Sequence, residues 1–427
     1  MHTAYYVNPF EYLFDDEERW GFTGETPISD VMSSDESLSD LRESCRLLAL
    51  TNEFAINAHE NRISYIVGSG HTISVEAKPG CSVSPDVLQQ AQRWLDDFAG
   101  RNRWFERQQE IIRRKDRDGE AFLRLFTSDD GQTLVRFVEP EQVRTPRELE
   151  SSQDDSLVSN RLGIQTLRRD VEQIRGYWVD GFFVPAQEIQ HRKANVDSNV
   201  LRGIPTFFPV RKNLRRAEKL LRNMSTVAEI QSAIAIIRKH HTGSKFGVES
   251  FASSAADCRV NSRNRELFYR QYSPGTILDT SGNVDYQFPA ATIDASRYVT
   301  ILQAELRAIA SRLVMPEFML TSDASNANYS STMIAEGPAV RMFERLQHEM
   351  VHEDTRLLQQ VLRNGVYAGQ LPAEIQTSVR VRMTPPALAV HDRKAEIEAD
   401  RILVELGAMS VQELASKYGC QENSSRV

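Results

Sequence analysis

The residues whose spacing most resembles a catalytic motif are His348-Glu349-Met350-Val351-His352. On a helix, His348 and His352 share one face, and in zinc peptidases such a pair binds the metal while the intervening Glu acts as base. The apolar period over 334–363 predicts that helix. Its core face would be Ala339, Phe343, Leu346, Met350, Leu357 and Val361, whereas the histidine face also carries Arg341, Arg345 and Arg356. Three guanidinium groups beside a divalent cation would oppose its charge. Thr355 and Leu358 stand where the longer zinc-peptidase motif has Gly and a third His, and Glu374, beyond Pro372, is a distant candidate ligand. The stripe is therefore expected to be a solvated or subunit-facing polar surface. A zinc-dependent peptidase using His348, Glu349 and His352 is the alternative, and metal analysis of the purified protein separates the two.

Other chemistry-bearing patterns are weaker. No G-x-x-x-x-G-K-[ST] loop occurs, so the sequence does not support an ATP-driven motor. Gly68-Ser69-Gly70 reads as a helix stop, because the third glycine and the βαβ setting of a dinucleotide loop are missing. His240-His241 fits a helix C-terminus, where cations are favoured. Met315 and Met319, on either side of Pro316, fit hydrophobic packing. Cys45, Cys81, Cys258 and Cys420 are widely spaced and read as isolated reduced thiols. Neither a cofactor nor a catalytic residue is expected.

The strongest charge feature is a helix predicted over 211–239. It holds Arg211, Lys212, Arg215, Arg216, Lys219, Arg222, Arg238 and Lys239 against Glu218 and Glu229, a net of +6 in a chain of −8. Such a face suits sequence-independent contact with phosphates. It equally suits an ordinary solvated helix surface.

These groups need elements to position them. Helical character is expected from about Asp40 to Ile66, ended by Gly68 and Gly70, after an acidic, Ser-rich and solvated arm over 1–44. Ser84-Pro85 opens a second helix with apolar positions Val87, Leu88, Ala91, Leu95 and Phe98. Asp130-Gly131 and Asp180-Gly181 each sit between short apolar runs and predict two hairpins, with a loop over 144–160. After the helix at 211–239, residues 240–292 lose helical period and contain strand-like runs such as Leu267 to Tyr269. A helix with Val299, Leu302, Leu306, Ile309 and Leu313 ends before Pro316. A polar loop follows over 316–333, then the 334–363 helix. Two tail helices end at Gly407 and Gly419, the second opened by a Ser410/Glu413 capping box.

The whole chain has 427 residues, with 51 Lys and Arg against 59 Asp and Glu. That length allows two to four folding units, and a 41% hydrophobic and 26% charged composition is that of a globular protein. Acidity overall argues against a general nucleic-acid coat. The first residues lack the basic start of a signal peptide, and no apolar run approaches the ~18 residues of a membrane span. A soluble intracellular protein is expected.

Several passages, in order, resemble tailed-bacteriophage portal proteins, the head-to-tail connectors, most closely the lambda class. They are 52–70, Arg117-Asp118-Gly119-Glu120-Ala121-Phe122, Phe137-Val138-Glu139-Pro140, His191, and Arg202-Gly203-Ile204-Pro205 leading into the helix after Pro209. The most specific runs from Leu306-Arg307-Ala308-Ile309-Ala310 through Met315-Pro316-Glu317-Phe318-Met319-Leu320 to Ser325-Asn326-Ala327-Asn328-Tyr329-Ser330-Ser331. Val314-Met315 stands where the family has Gly-Val, and the acidic arm has no clear family counterpart.

The resemblance implies an α+β portal-type fold assembled as a ring of twelve copies at one capsid vertex of the virion, put together in the host cytoplasm. It implies a wing over 1–208, stem helices over 209–239 and 293–315, and a small α/β clip over 240–292. A tunnel loop over 316–333, a wing helix over 334–365 and a helical crown over 366–427 would complete it. Thr321, Ser322, Ser325, Asn326, Asn328, Tyr329 and Ser330 would line the DNA channel. Arg211, Lys212, Arg215, Arg216, Lys219 and Arg222 would form the basic stem. The implied partners are double-stranded DNA, the terminase large subunit, a head–tail adaptor, and the major capsid and scaffold proteins, with no membrane. A monomeric DNA-binding scaffold is a third reading. Eleven acidic residues against two basic ones give the 1–44 arm −9 and leave +1 for the rest, the balance of a non-adhesive conduit.

Overall fold

The computed structural model describes residues 34–150, 157–240, 257–262, 265–270, 276–281, 295–323, 329–388, 393–407, 409–411 and 414. The arm over 1–33, Ser325, Asn326, Asn328, Glu413 and Gly419 lie outside the described residues.

Helix α1 (Asp35–Thr51) opens where Ser34 accepts a hydrogen bond from the Ser37 amide at 3.1 Å, with Asp35 and Glu36 facing the positive end of the dipole. Its buried face is Leu38, Leu41, Cys45 and Leu48. Residues 35–44 are thus folded helix, not the solvated arm that their acidity suggests. Burial pushes the Cys45 thiol up to about 11, away from reactivity. Where one helix is expected to continue to Ile66, Asn52 divides it: its amide N–H caps the carbonyl of Leu48, and its side chain accepts from the Ala55 amide to start α2 (Glu53–Ile66).

Next come β1 (Thr72–Ala77), α3 (Pro85–Asn102), α4 (Trp104–Arg117), β2 (Glu120–Thr127) and β3 (Thr133–Val138). Ser84 caps α3, whose buried face is Val87, Ala91, Leu95 and Phe98, as the spacing predicts. Strands β2 and β3 form the expected antiparallel hairpin, with Gly131 in the left-handed region at its turn. The 144–160 stretch is not all loop, since it includes a helical turn (Arg147–Glu150) and β4 (Val158–Arg161). Strands β5 (Ile164–Leu167), β6 (Asp170–Val179) and β7 (Phe182–Pro185) extend β4 into one antiparallel sheet. Asp180 and Gly181 both have positive φ, the pairing that a tight two-residue hairpin needs. Strand β8 (Ile189–Lys193) completes a three-stranded sheet of order β3-β2-β8.

Helix α5 spans Arg211–Ala233 and gives way to β9 (Ile234–His240), six residues before its predicted end. The run Ile234-Ala235-Ile236-Ile237 explains the switch, because branched side chains favour the pleated backbone. Strand β9 pairs in parallel with β12 (Thr276–Ser281), and β10 (Asp257–Ser262) pairs with β11 (Arg265–Arg270) as a hairpin. Helix α6 (Ala295–Leu313) is followed by α7 (Glu317–Thr321) and the 39-residue α8 (Tyr329–Tyr367). The irregular stretch expected over 316–333 is therefore helical at both ends. Then come α9 (Glu374–Ser378), β13 (Val379–Thr384) and α10 (Arg393–Glu405), the last closed by Gly407 at positive φ. Sequence periodicity did not place β13, which pairs with β1 from Thr72↔Thr384 to Ala77↔Val379.

The chain packs as two units. One comprises the described residues within 1–58, 116–120 and 193–322; the other comprises those within 59–115, 121–192 and 323–427. The first is centred on α1, α5 and α6, with Leu38, Cys45, Phe207, Leu214, Ala217, Ile309 and Leu313 buried. Val299, expected on the core face of α6, is 41% exposed near the N-terminal end of that helix. The second unit wraps α3, α4, β2–β3 and β1–β13 around α8, whose buried face includes Ala339, Phe343, Met350, Leu357 and Val361. Tyr65 stacks on Phe343 with centroids 4.8 Å apart.

Candidate nucleic-acid interface

Helix α5 is held by one apolar edge. Leu214 and Ala217 are fully buried, and the Asn52 side-chain amide donates to the Leu214 carbonyl at 3.2 Å. The remaining surface carries the charge. Arg211 lies over the Phe208 ring at 4.3 Å and donates to the Phe208 carbonyl. Arg222 pairs with Glu218 one turn earlier at 2.7 Å, and Arg216 approaches Glu305 of α6 at 3.8 Å. Asn213 donates to the same Glu305 at 2.7 Å. Lys212, Arg215 and Lys219 are half-buried and also engaged. Arg238 and Lys239 fall on β9, so α5 itself carries Arg211, Lys212, Arg215, Arg216, Lys219 and Arg222 against Glu218 and Glu229, a net of +4. Part of that charge is answered locally, and such exposed pairs contribute little to stability.

The segment after α6 is more tightly built than a free loop. Val314 takes φ 53° immediately past the helix, and the Met315 amide returns to the Ala310 carbonyl at 3.1 Å. That six-to-one bond is a Schellman cap, whose left-handed position ordinarily belongs to glycine. Val314 occupies the position that is glycine in the resembled family, so a branched side chain is strained there. Pro316 then starts α7, and Arg307 pairs with Glu317 at 2.7 Å. From α2, the Asn57 amide donates to the carbonyls of Met319 and Leu320 at 2.8 and 2.7 Å. Thr321 is half-buried and donates to the Glu317 carbonyl, while Ser322, at φ 57°, and Asp323 are exposed. Tyr329 and Ser330 lie in the first turn of α8 and not in the loop. Of the expected channel residues, Thr321 ends α7, Ser322 caps it, Tyr329 and Ser330 open α8, and Ser325, Asn326 and Asn328 lie outside the described residues.

On α8, His348 and His352 are exposed alongside Arg341, Arg345 and Arg356. Glu349 is drawn instead to the Lys115 ammonium. Among the described residues, no group of three or more His, Cys, Asp or Glu is placed to hold a metal ion.

A buried charge cluster that sequence reasoning did not single out lies in the unit that holds α5. Glu120 is fully buried; its Oε1 accepts from Arg42 at 2.7 Å and from Arg202 at 2.8 Å, and its Oε2 from the Gly203 amide at 3.0 Å. Asp118, equally buried, pairs with Arg46 at 2.5 Å and with Arg117 at 3.3 Å. Burial raises the Asp118 carboxyl above its ordinary value, against the lowering pull of Arg46 and Arg117. Gly119 and Gly203 make the approach possible: a Cβ on Gly203 would meet the Gly119 carbonyl oxygen at 1.9 Å. The 117–120 and 202–205 passages, far apart in sequence, thus close on each other and on α1. The available signal was a charged residue beside a glycine in each, with Glu120 directly before the apolar run Ala121-Phe122-Leu123.

No helix among the described residues is long and apolar enough to cross a membrane. Residues 18–347 match the family described as phage portal protein, lambda family. No protein of curated function matches the chain. Among solved structures, an HK97-family phage portal protein from Corynebacterium diphtheriae aligns at 12% identity, covering 81% of this chain and 99% of that one, with a TM-score of 0.33. The neck of an empty gene transfer agent particle aligns at 14% identity, over 89% and 94%, with a TM-score of 0.48. A native gene transfer agent neck aligns at 16% identity, over 86% and 89%, with a TM-score of 0.41.

Proposed function

The chain belongs to the lambda family of phage portal proteins, and from that premise we propose that its copies form a ring at one capsid vertex through which double-stranded DNA enters and leaves. The observation that carries this reading is the family match over 18–347, a span that holds both α5 and α6 and the start of α8. In this reading α5 and α6 are stem helices, the strands between them belong to the clip, and the segment from Pro316 to the start of α8 faces the channel. The 1–208 region and α8 form the wing, and 366–427 the crown. Terminase docks on the clip during packaging and is later replaced by a head–tail adaptor, while capsid and scaffold proteins surround the wing. The chain acts as a conduit and not as a motor.

The physical requirement is that DNA slides. Each phosphate neutralised by a cation adds affinity through counterion release, so a lining that holds many phosphates at once would arrest movement. Between Pro316 and Ser331 the chain has Glu317 and Asp323 and no Lys or Arg, and the rest is largely Ser, Thr, Asn and one Tyr. Such a surface touches a polyanion without gripping it. Replacing Asn326 and Asn328 by Lys is expected to slow packaging and ejection in proportion to added charge, with the defect relieved by salt. Packaging at the parental rate in both variants would overturn the channel-facing assignment.

A further inference from the structure

The outward face of the β2–β3 hairpin is built like half of an interface. In the strand register Arg124 stands directly opposite Arg136, and Phe126 opposite Leu134. Side chains alternate with a period of two, so all four emerge on the same side, while Leu123, Leu125 and Val135 point into the core. Phe126 and Leu134 are 45% and 39% exposed. The Arg124 guanidinium lies 4.7 Å from the Phe126 ring, and Arg136 is exposed and donates to the Val135 carbonyl.

Two features make this face unusual. Like charges directly across a strand pair repel, yet neither arginine forms an ion pair among the described residues. Arg107 of α4 stands close enough that burial, and then the Arg136 charge, hold its pKa below the ordinary value. Strand β3 is also the edge of its sheet, but Asn102 already accepts from its Val135 amide and donates to its Thr133 carbonyl, so a docking segment would meet this face through side chains rather than by adding a strand. Cations and exposed apolar groups at a sheet edge fit a peptide segment in which aromatic side chains adjoin carboxylates.

The chain contains such a segment. Phe10-Glu11-Tyr12-Leu13-Phe14-Asp15-Asp16-Glu17-Glu18 has five carboxylates and four large apolar side chains, with no cation. We propose that the 10–18 segment of one copy docks on the Arg124, Arg136, Phe126 and Leu134 face of a second copy. Its carboxylates neutralise the opposed guanidinium groups, and its aromatic rings cover the apolar pair. The acidic arm is then a clasp between copies. This goes beyond the channel reading and requires only that two copies meet.

The test uses the full chain. Unlabelled protein with a photoreactive group in place of Tyr12 is mixed with isotope-heavy protein that keeps Tyr12, so light-to-heavy crosslinks report contact between copies. The expected product joins residue 12 to the 124–136 stretch of the heavy chain. The double variant Arg124→Glu/Arg136→Glu should cut its yield about tenfold, a loss of the size that close charge pairs at an interface support. Combining it with Glu11→Lys/Asp15→Lys/Glu17→Lys in the arm should restore the yield. The arm variant alone must also lose the crosslink, and it leaves every described element untouched. Crosslinks confined to other segments or to the same chain, or a yield indifferent to both charge reversals, overturn the proposal. Images of the same samples report ring formation separately, so loss of the clasp and loss of the ring are distinguishable.

Discussion

Two charge-rich regions of the same unit use their charges in opposite ways. Around Glu120, guanidinium and carboxylate groups are fully withdrawn from water and meet at 2.7–2.8 Å. Along α5 the cations are exposed or half-buried and meet their partners at the surface, Arg222 with Glu218 at 2.7 Å and Arg216 with Glu305 at 3.8 Å. The first arrangement fixes where the chain closes on itself, because a buried charge tolerates only one geometry. The second leaves charge available to solvent, ions or a neighbour, at little consequence for folding. The number of charges in a stretch therefore says little until their partners are known. The passage with fewer charged residues is the one where each decides the structure.

The sharpest way to break this contrast is Glu120→Ala. It leaves Arg42 and Arg202 buried without their shared carboxylate and should destabilise by about 3–5 kcal/mol in chemical denaturation. A loss under about 1 kcal/mol would mean that the cluster is dispensable. Next in size is a gain: Val314→Gly should stabilise by about 1 kcal/mol, since the left-handed strain removed outweighs the added chain entropy of glycine. A lower midpoint for that variant would show that position 314 is not strained. On α5, Arg216→Ala and Arg222→Ala should each change stability by less than about 1 kcal/mol, because both groups are substantially exposed. A cost comparable to that of Glu120→Ala would erase the distinction.

The smallest effect is a slope with pH. Burial raises the Asp118 carboxyl on folding above 3.8, so the folded state holds its proton over an interval in which the unfolded state has lost it. That share of stability is present below about 3.8 and is lost as pH rises through the folded value. Relative to Asp118→Asn, the parent protein should therefore lose stability as pH rises above about 3.8. A parent that gains stability over that range would reverse the balance assigned to burial and to Arg46.

How much of this was legible in the sequence follows the range of the forces involved. Local signals worked: Ser84-Pro85 starts α3, Asp130-Gly131 and Asp180-Gly181 turn hairpins, and Gly407 ends α10. Signals that compete locally misled. Apolar period runs through Asn52 although its side chain divides two helices, and helical period runs past Ala233 although branched residues make a strand. The Ser- and Asn-rich stretch before α8 reads as loop, because such side chains offer the backbone alternatives to a helix, yet α8 already begins at Tyr329. Pairing of β1 with β13, and the meeting of Glu120 with Arg42 and Arg202, depend on residues tens to hundreds of positions apart. Of the candidate site, the basic helix was readable, whereas the Asn57 and Glu317 contacts that anchor α7 were not. The glycine position held by Val314 was visible only through family resemblance.

The proposed function requires that copies of this chain close into a ring around a channel. Negative-stain images of the purified full-length protein test it most directly. Closed rings with a central hole wide enough for a duplex are expected. Single copies or irregular clusters without a hole, at concentrations where the protein is folded, would contradict it.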